Sequence, residues 1–172
     1  PQVWVVPTAG GAPVQVTTGD DPVGRVVWSP NGEWLALSIA PGGGMNTQIY
    51  VVRADGSGLR RLTDGGRETN NLGDWTHDGR RVTMGSNRSN PSAIDAYFVD
   101  PTTGARDLVS ANKGLQTLED VSRDGTLALV GRLRGRGDND LYLVNLQSHA
   151  EMLATPHDPP GSFAGQLAPD GR

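Results

Sequence analysis

One short turn sequence occurs four times in this chain at nearly equal intervals. The copies are Ser29-Pro30-Asn31-Gly32, Thr76-His77-Asp78-Gly79, Ser122-Arg123-Asp124-Gly125 and Ala168-Pro169-Asp170-Gly171. Their glycines are separated by 47, 46 and 46 residues. An Asn-Gly or Asp-Gly pair predicts a tight β-hairpin turn with positive φ at both central positions. The chain is therefore expected to repeat one hairpin-rich unit, in which Gly32, Gly79 and Gly125 are structural.

Two further sets of residues repeat with the same period. Aromatic residues within apolar, β-rich runs are spaced by 46, 47 and 45, at Trp4, Tyr50, Tyr97 and Tyr142. Aliphatic residues are spaced by 46, 46 and 45, at Val16, Leu62, Leu108 and Leu153. Three registers with one period of about 46 indicate an internal structural repeat, with Tyr50, Tyr97 and Tyr142 as structural residues.

Four extended segments fit into each repeat. In the first complete repeat they lie near Arg25–Ser29, Trp34–Ile39, Gln48–Arg53 and Leu59–Thr63. Four antiparallel strands in about 40–50 residues are typical of one blade of a β-propeller. Abundant glycine (24 residues) and proline (12 residues) agree with short strands and many turns. The predicted fold class is all-β, a β-propeller segment of four-stranded antiparallel blades.

The repeat predicts a single segment over residues 1–172, with three complete blades and two partial ones. The complete blades are expected at residues 24–68, 69–114 and 115–160. Residues 1–23 would supply the last two strands of a partial blade, near Gln2–Val6 and Val14–Thr17. Residues 161–172 would supply the first strand of another, near Ser162–Ala168.

Two arrangements are compatible with these partial blades. The chain is expected to be a fragment of a larger ring, whose missing blades are then its partners. The alternative is closure of the ring by a composite blade, in which Ser162–Ala168 joins the N-terminal strands. A fragment would expose apolar blade faces and unpaired strand edges, and we expect it to self-associate.

Large apolar residues share one position in the first strand of each blade. Trp28, Trp75, Val121 and Leu167 occupy it. We expect them to be wedges between neighbouring blades, each contributing on the order of 2 kcal/mol when buried.

Several of these runs resemble one known repeat family. The runs Trp28–Ala36, Ile49–Gly56 and Leu59–Thr63, together with Ser86-Asn87-Arg88, look like the TolB-type propeller repeat. The run Arg132–Val144 is similar to the N-terminal propeller of bacterial peptidases of the prolyl oligopeptidase family.

These two resemblances imply different functions. A prolyl oligopeptidase-like propeller precedes an α/β-hydrolase domain that carries the Ser, Asp and His triad, and it limits substrates to short peptides. A TolB-like propeller is a docking scaffold for partner proteins. The resemblance to a peptidase implies a cytoplasmic protein, and the resemblance to TolB implies a periplasmic one.

This chain has no Gly-x-Ser-x-Gly nucleophile elbow, so no catalytic residue is expected in it. The leading hypothesis is a non-catalytic propeller portion of a prolyl oligopeptidase-like serine peptidase. It would gate or bind peptide substrates for a hydrolase domain that is absent from this chain. One alternative is a TolB-like protein-binding scaffold, and another is a propeller enzyme of lactonase or sialidase type.

Charge and composition limit the classes of partner and cofactor that we expect for this chain. The net charge of −4 gives no electrostatic reason to expect nucleic-acid binding. The absence of cysteine excludes disulfides and thiolate metal sites, and no apolar run approaches the roughly 20 residues of a membrane span. No metal or other cofactor is expected, because His77, His149 and His157 have the spacing of exposed loop histidines. Asp138-Asn139-Asp140 is interpreted as a polar hairpin rather than a calcium loop.

Four acidic residues lie in or just before predicted first strands. These are Glu68, Asp74, Glu119 and Asp120. The innermost strands of a propeller border its central channel, so these residues are candidates for binding a substrate amine or a cation. They could equally accept hydrogen bonds from the backbone of the next blade.

Overall fold

The computed structural model describes residues 1–170, in which fourteen β-strands and one short 3-10 turn, Pro41–Gly43, are formed. A two-stranded sheet comes first, from β1 (Trp4–Val5) and β2 (Val14–Gln15). Blade I contains β3 (Val23–Trp28), β4 (Trp34–Ile39), β5 (Gln48–Arg53) and β6 (Arg60–Arg61). Blade II contains β7 (Asn70–Trp75), β8 (Val82–Ser86), β9 (Asp95–Val99) and β10 (Arg106–Ser110). Blade III contains β11 (Gln116–Val121), β12 (Leu127–Gly135), β13 (Asp138–Asn145) and β14 (Glu151–Leu153).

Each blade is an antiparallel meander, in which every strand pairs with the next strand in the chain. This confirms the predicted all-β propeller segment of four-stranded antiparallel blades. Strands β4 and β5 have the predicted bounds, whereas β6 is shorter than the predicted Leu59–Thr63. None of the helices in the described residues is long and apolar enough to cross a membrane.

The hairpin turns differ in detail from the prediction. Gly32, Gly79 and Gly125 have φ values of 71°, 68° and 69°, but the preceding Asn or Asp residues do not have positive φ. The side chain of that residue instead accepts hydrogen bonds from the turn. In blade II, Asp78 accepts from the Thr76 hydroxyl at 2.6 Å and from the Arg80 amide at 3.0 Å. These are Asx turns, so the Asp or Asn is selected as an acceptor rather than for a left-handed conformation.

In blades II and III, the aliphatic residues selected by spacing lie one position before the structural equivalent of Leu62. The residues that pair with the Tyr50, Tyr97 and Tyr142 positions are Arg61, Leu108 and Leu153. The equivalent of buried Leu62 is therefore Val109, which is 4% exposed, whereas Leu108 is 47% exposed. Spacing alone groups Leu108 and Leu153 with Leu62, but a strand buries alternate residues and a shift of one reverses the face.

Residues 162–168 do not form the predicted first strand of a further blade. Their contacts are to blade III: Asn139 accepts from the Phe163 amide at 2.8 Å, and Asp120 accepts from the Leu167 amide at 2.7 Å. Within residues 1–170 this segment has no pairing with β1 or β2, so composite closure is not seen there. Gly171 of the fourth turn lies outside the described residues. Extended backbone without a strand partner satisfies its amides with side chains instead.

The residue at the wedge position is buried in blades II and III and exposed in blade I. Trp75 is 9% exposed, and it packs in the core shared by blades I and II with Ala36, Val51 and Tyr97. Val121 is buried with Ala96 and Phe98 of the preceding blade. Trp28 is 47% exposed in this chain. A wedge packs against the preceding blade, and before blade I this chain supplies only the two short strands β1 and β2.

Candidate functional site

The first strand of each blade contains an irregularity in its pairing with the second strand. The pairing register shifts between Val23 and Val26 in β3, and between Leu72 and Trp75 in β7. It shifts again between Leu118 and Asp120 in β11. A β-bulge bends the strand and changes the direction of its side chains. One charged residue lies within each of these irregular stretches, at Arg25, Asp74 and Glu119.

These three charged residues line one small cavity of about 170 Å³. Its walls come from the first strands of all three blades and from β8. Two further wall residues, Gly73 and Thr83, explain the direction of Asp74. A Cβ on Gly73 would lie 2.1 Å from the Thr83 hydroxyl oxygen, and that oxygen accepts a hydrogen bond from the Asp74 amide at 2.8 Å. Glycine therefore permits the close strand contact that fixes the Asp74 backbone.

Arg25 and Asp74 form a paired group across blades I and II. The Arg25 Nη2 atom lies 3.0 Å from each carboxylate oxygen of Asp74. The two side chains are 51% and 65% exposed, so this pair contributes at most about 1 kcal/mol to stability. Its clearer effect is to neutralise the charge of Asp74 within the cavity.

Glu119 has no such partner among residues 1–170. Its carboxylate rests over Gly131, where a Cβ would lie 2.8 Å from the Glu119 Oε1 atom. Partial burial raises the pKa of Glu119 above its ordinary value, because desolvation disfavours the charged form. Of the three charged side chains, Glu119 is therefore the acceptor that remains available to a cationic group among the described residues.

The other two acidic candidates are placed elsewhere. Glu68 does not line the cavity; its carboxylate lies 3.8 Å from Arg106, which also binds Asp64 at 2.9 Å. Asp120 accepts hydrogen bonds from the Val121 and Leu167 amides. Asp120 therefore accepts hydrogen bonds from backbone amides, which was the expected alternative to a role in ligand binding. Both residues are held by neighbouring protein groups.

The three histidines differ in their exposure to solvent. His77 and His149 are exposed, as expected. The prediction of an exposed loop residue was wrong for His157, whose side chain is 11% exposed and bonds to Asp138 at 2.8 Å. Among the described residues, no histidine is hydrogen-bonded to a serine or threonine hydroxyl, and no group of three acidic or histidine side chains is arranged to hold a metal ion. A nucleophile paired with a base is the geometry that covalent hydrolysis requires.

A wider cleft of about 590 Å³ lies between blades II and III, but its acidic residues are already engaged. Asp107 binds Arg81 at 3.3 Å. Asp78 and Asp124 accept hydrogen bonds from Thr76 and Ser122, which lower the pKa of each carboxyl. These groups stabilise the turns at the rim of the cleft, so the small cavity is the better candidate site.

Sequence reasoning found Asp74 and Glu119 but missed Arg25. Arg25 lies three residues before the wedge Trp28, whereas Asp74 lies one residue before Trp75. Alignment on the repeat therefore places them in different columns. Only the different positions of the bulges bring the two side chains together, and bulge positions leave no clear signal in this sequence.

Comparison with known proteins identifies the fold. No family model matches the chain, and no curated protein matches it. Among solved structures, a protein assigned as TolB from Agrobacterium tumefaciens aligns over 98% of this chain and 59% of its own, with a TM-score of 0.72 and 22% identity. Oligogalacturonate lyase from Vibrio parahaemolyticus aligns over 99% of this chain and 49% of its own, with a TM-score of 0.75 and 15% identity.

A prolyl endopeptidase structure aligns over 92% of this chain and 26% of its own, with a TM-score of 0.66 and 18% identity. The chain thus spans between about a quarter and three-fifths of the length of these three neighbours. At these identities the likeness establishes the β-propeller fold. It confirms, at the level of fold, the resemblance to TolB and to the propellers of the prolyl oligopeptidase family.

Proposed function

We propose that this chain is the non-catalytic propeller portion of a prolyl oligopeptidase-like serine peptidase, and that it binds or gates peptides for a hydrolase domain outside these residues. The observation that supports the proposal is that Arg25, Asp74 and Glu119 line one cavity, with Glu119 unpaired among the described residues. A carboxylate in a partly desolvated site favours a positively charged ligand group. An amino group or a basic side chain of a short peptide meets that requirement.

The paired and unpaired acids have different roles in this proposal. Arg25 neutralises Asp74 and holds it against blade I at 3.0 Å. Glu119 is left as the one acceptor of the three for a cation that enters along the first strands. The cavity is small, so it would accept a terminal group of a peptide rather than a folded domain.

The test uses the full-length protein and two matched peptide substrates. One substrate is a short chromogenic prolyl peptide with lysine at its distal position, and the other has norleucine there. Glu119→Gln is expected to raise KM for the lysine peptide about three- to tenfold with little change in kcat, because one exposed charge contact is lost. The norleucine peptide should be unaffected.

Glu33→Gln is the matched control, since Glu33 is an exposed acid on the hairpin turn of blade I. It should change neither substrate's KM. Equal effects of the two variants, or full-length protein that hydrolyses neither peptide, would contradict the proposal.

A TolB-like protein-binding scaffold is the second candidate. The observation that favours it is coverage: the TolB neighbour is matched over 59% of its length, and the prolyl endopeptidase over 26%. In that case the same channel-side charges would contact a segment of a partner protein, and the full-length protein would have no peptidase activity.

A further inference from the structure

A polar residue stands two positions before the aromatic residue of each repeat, and in the first three repeats it holds the segment that crosses over to the next blade. These residues are spaced by 46, 47 and 45, at Gln2, Gln48, Asp95 and Asp140. Gln2 donates to the Gly19 carbonyl at 2.7 Å, and Gln48 donates to the Glu68 carbonyl at 2.7 Å.

Asp95 makes the equivalent contact in blade II, where it accepts from the Asn112 amide at 3.1 Å. Each of these three contacts joins a side chain to the backbone of the crossover segment. The first two involve a neutral side chain, and the third is accepted by a carboxylate without a histidine. None of these three contacts involves a histidine.

In blade III the same position meets a histidine instead. Asp140 Oδ1 lies 3.5 Å from His157 Nδ1, and that nitrogen is 2.8 Å from the Thr155 carbonyl. His157 Nε2 is 2.8 Å from Asp138 Oδ1. A carbonyl and a carboxylate can only accept, so both ring nitrogens must donate. The geometry therefore requires the charged imidazolium form of His157.

The charges that face the ring balance only in that form. Asp138 and Asp140 on β13 are negative, and the Arg134 Nε atom on β12 lies 3.7 Å from each of them. Asp140 Oδ1 is buried and accepts no hydrogen bond. Loss of the histidine proton would leave two carboxylates, both largely buried, against one arginine. It would also remove one of the two donated hydrogen bonds.

Asp138 and His157 also contact other residues of the segment that follows β14. Asp138 Oδ1 accepts from the Gly161 amide at 3.2 Å, and the Phe163 ring packs 4.6 Å from the imidazole. Further along, a Cβ on Gly165 would lie 2.9 Å from a methyl group of Leu129. The segment therefore covers part of the apolar surface of blade III.

We propose that residues 155–163 form a pH-sensitive latch, closed by protonated His157 against Asp138 and Asp140, which opens as the histidine loses its proton. Opening would free the crossover at the joint that leads from blade III to the next blade. The proposal is independent of the peptidase assignment, because it rests on the contacts within blade III alone.

The direction of the pH effect follows from the hydrogen bonds. The bonds to Thr155 and Asp138 raise the pKa of His157, and the bond from His157 lowers the pKa of Asp138. A raised histidine pKa means that the latch has its full stability below the ordinary value of about 6.5 and loses it as the pH rises through the folded value. Acidification closes the latch until Asp138 itself is protonated.

The test is hydrogen–deuterium exchange, read by mass spectrometry, on the full-length protein at about pH 5.5 and about pH 9 after correction for intrinsic exchange rates. Peptides that cover residues 155–163 should lose protection about tenfold or more at the higher pH, because the opening equilibrium changes with ionisation of one group. Peptides from the crossover of blade II, which Asp95 holds, should not change.

Two variants make the outcome specific. In His157→Gln the difference between the two pH values should disappear. In Asp138→Asn, exchange over a series of intermediate pH values should show protection being lost at lower pH, because a negative charge beside the imidazole is removed. Strand β13 peptides serve as the check that each variant is folded. Equal protection at both pH values in the natural protein, or a pH effect that persists in His157→Gln, would overturn the proposal.

Discussion

The indole Nε1 atom of Trp75 donates a hydrogen bond to the backbone carbonyl of Val27, 3.2 Å away, and so joins the first strands of blades II and I. The same indole is buried among Ala36, Val51 and Tyr97. The contact therefore combines apolar burial with satisfaction of the indole N–H, which is the usual requirement for a buried tryptophan. It is the clearest link between two neighbouring blades in this chain.

Replacement of this residue should have a large effect on stability. Trp75→Ala is expected to lower the free energy of unfolding by about 3–5 kcal/mol, through a cavity between blades I and II. Trp28→Ala changes the residue at the equivalent position, which is 47% exposed, and should cost under about 1 kcal/mol. Urea unfolding followed by tryptophan fluorescence or circular dichroism measures both. Similar losses in the two variants would contradict the packing described above.

A second link joins blades II and III through charged and polar groups. Glu151 on β14 binds Arg132 on β12, and it also accepts from the Ser110 hydroxyl of blade II at 2.9 Å. The bonds from Arg132 and Ser110 lower the pKa of Glu151. Both partners are donors to the carboxylate, so its ionised form is the one that the fold stabilises.

Glu151→Gln should therefore destabilise the protein at neutral pH and have little effect in acid. A depressed pKa contributes stability above the ordinary glutamate value of about 4.3–4.5, and this stability is lost as the pH falls through the folded value. Thermal unfolding of both proteins at about pH 7 and about pH 3 gives the comparison. A difference in Tm that is as large in acid as at neutral pH would mean that the charge of Glu151 is not involved.

Most of the fold could be predicted from the sequence, because it depends on a repeated local pattern. The turn glycines, the aromatic register and strands β4 and β5 follow from residue type and spacing alone. Leu108 lies one residue out of register because Tyr50 and Tyr97 are 47 residues apart whereas Leu62 and Leu108 are 46 apart. Pairing with the tyrosine strand decides which face a residue takes. The exposed position of Trp28 depends on its neighbouring blade rather than on its own sequence.

The candidate site could be predicted only in part, because the repeat spacing does not show where each first strand is bulged. Asp74 and Glu119 could be chosen as charged residues of first strands, but Arg25 joins them through a bulge at a different position. His157 was missed because its partners Asp138 and Asp140 lie on another strand. One signal was available in the sequence: a polar residue stands two positions before each aromatic residue, as in Asp140-Leu141-Tyr142.

The exposed apolar residues at the N-terminal end predict self-association of the isolated chain. They include Trp4, Val14 and Trp28, which are exposed by 54%, 41% and 47%. Val14→Lys should weaken association by placing a charge on this surface. Met45→Lys is the matched control, since Met45 is 92% exposed on a separate loop. Sedimentation velocity over a concentration series measures the effect, and a natural chain that stays monomeric throughout would contradict the expectation.

We propose that this propeller segment serves a serine hydrolase whose nucleophile lies outside residues 1–172. The most direct measurement is to label the full-length protein with a fluorophosphonate probe, digest it and locate the modified serine by mass spectrometry. We expect one labelled serine outside residues 1–172, with no label on the isolated 172-residue chain. A labelled serine within the chain, or full-length protein that takes up no label, would contradict it.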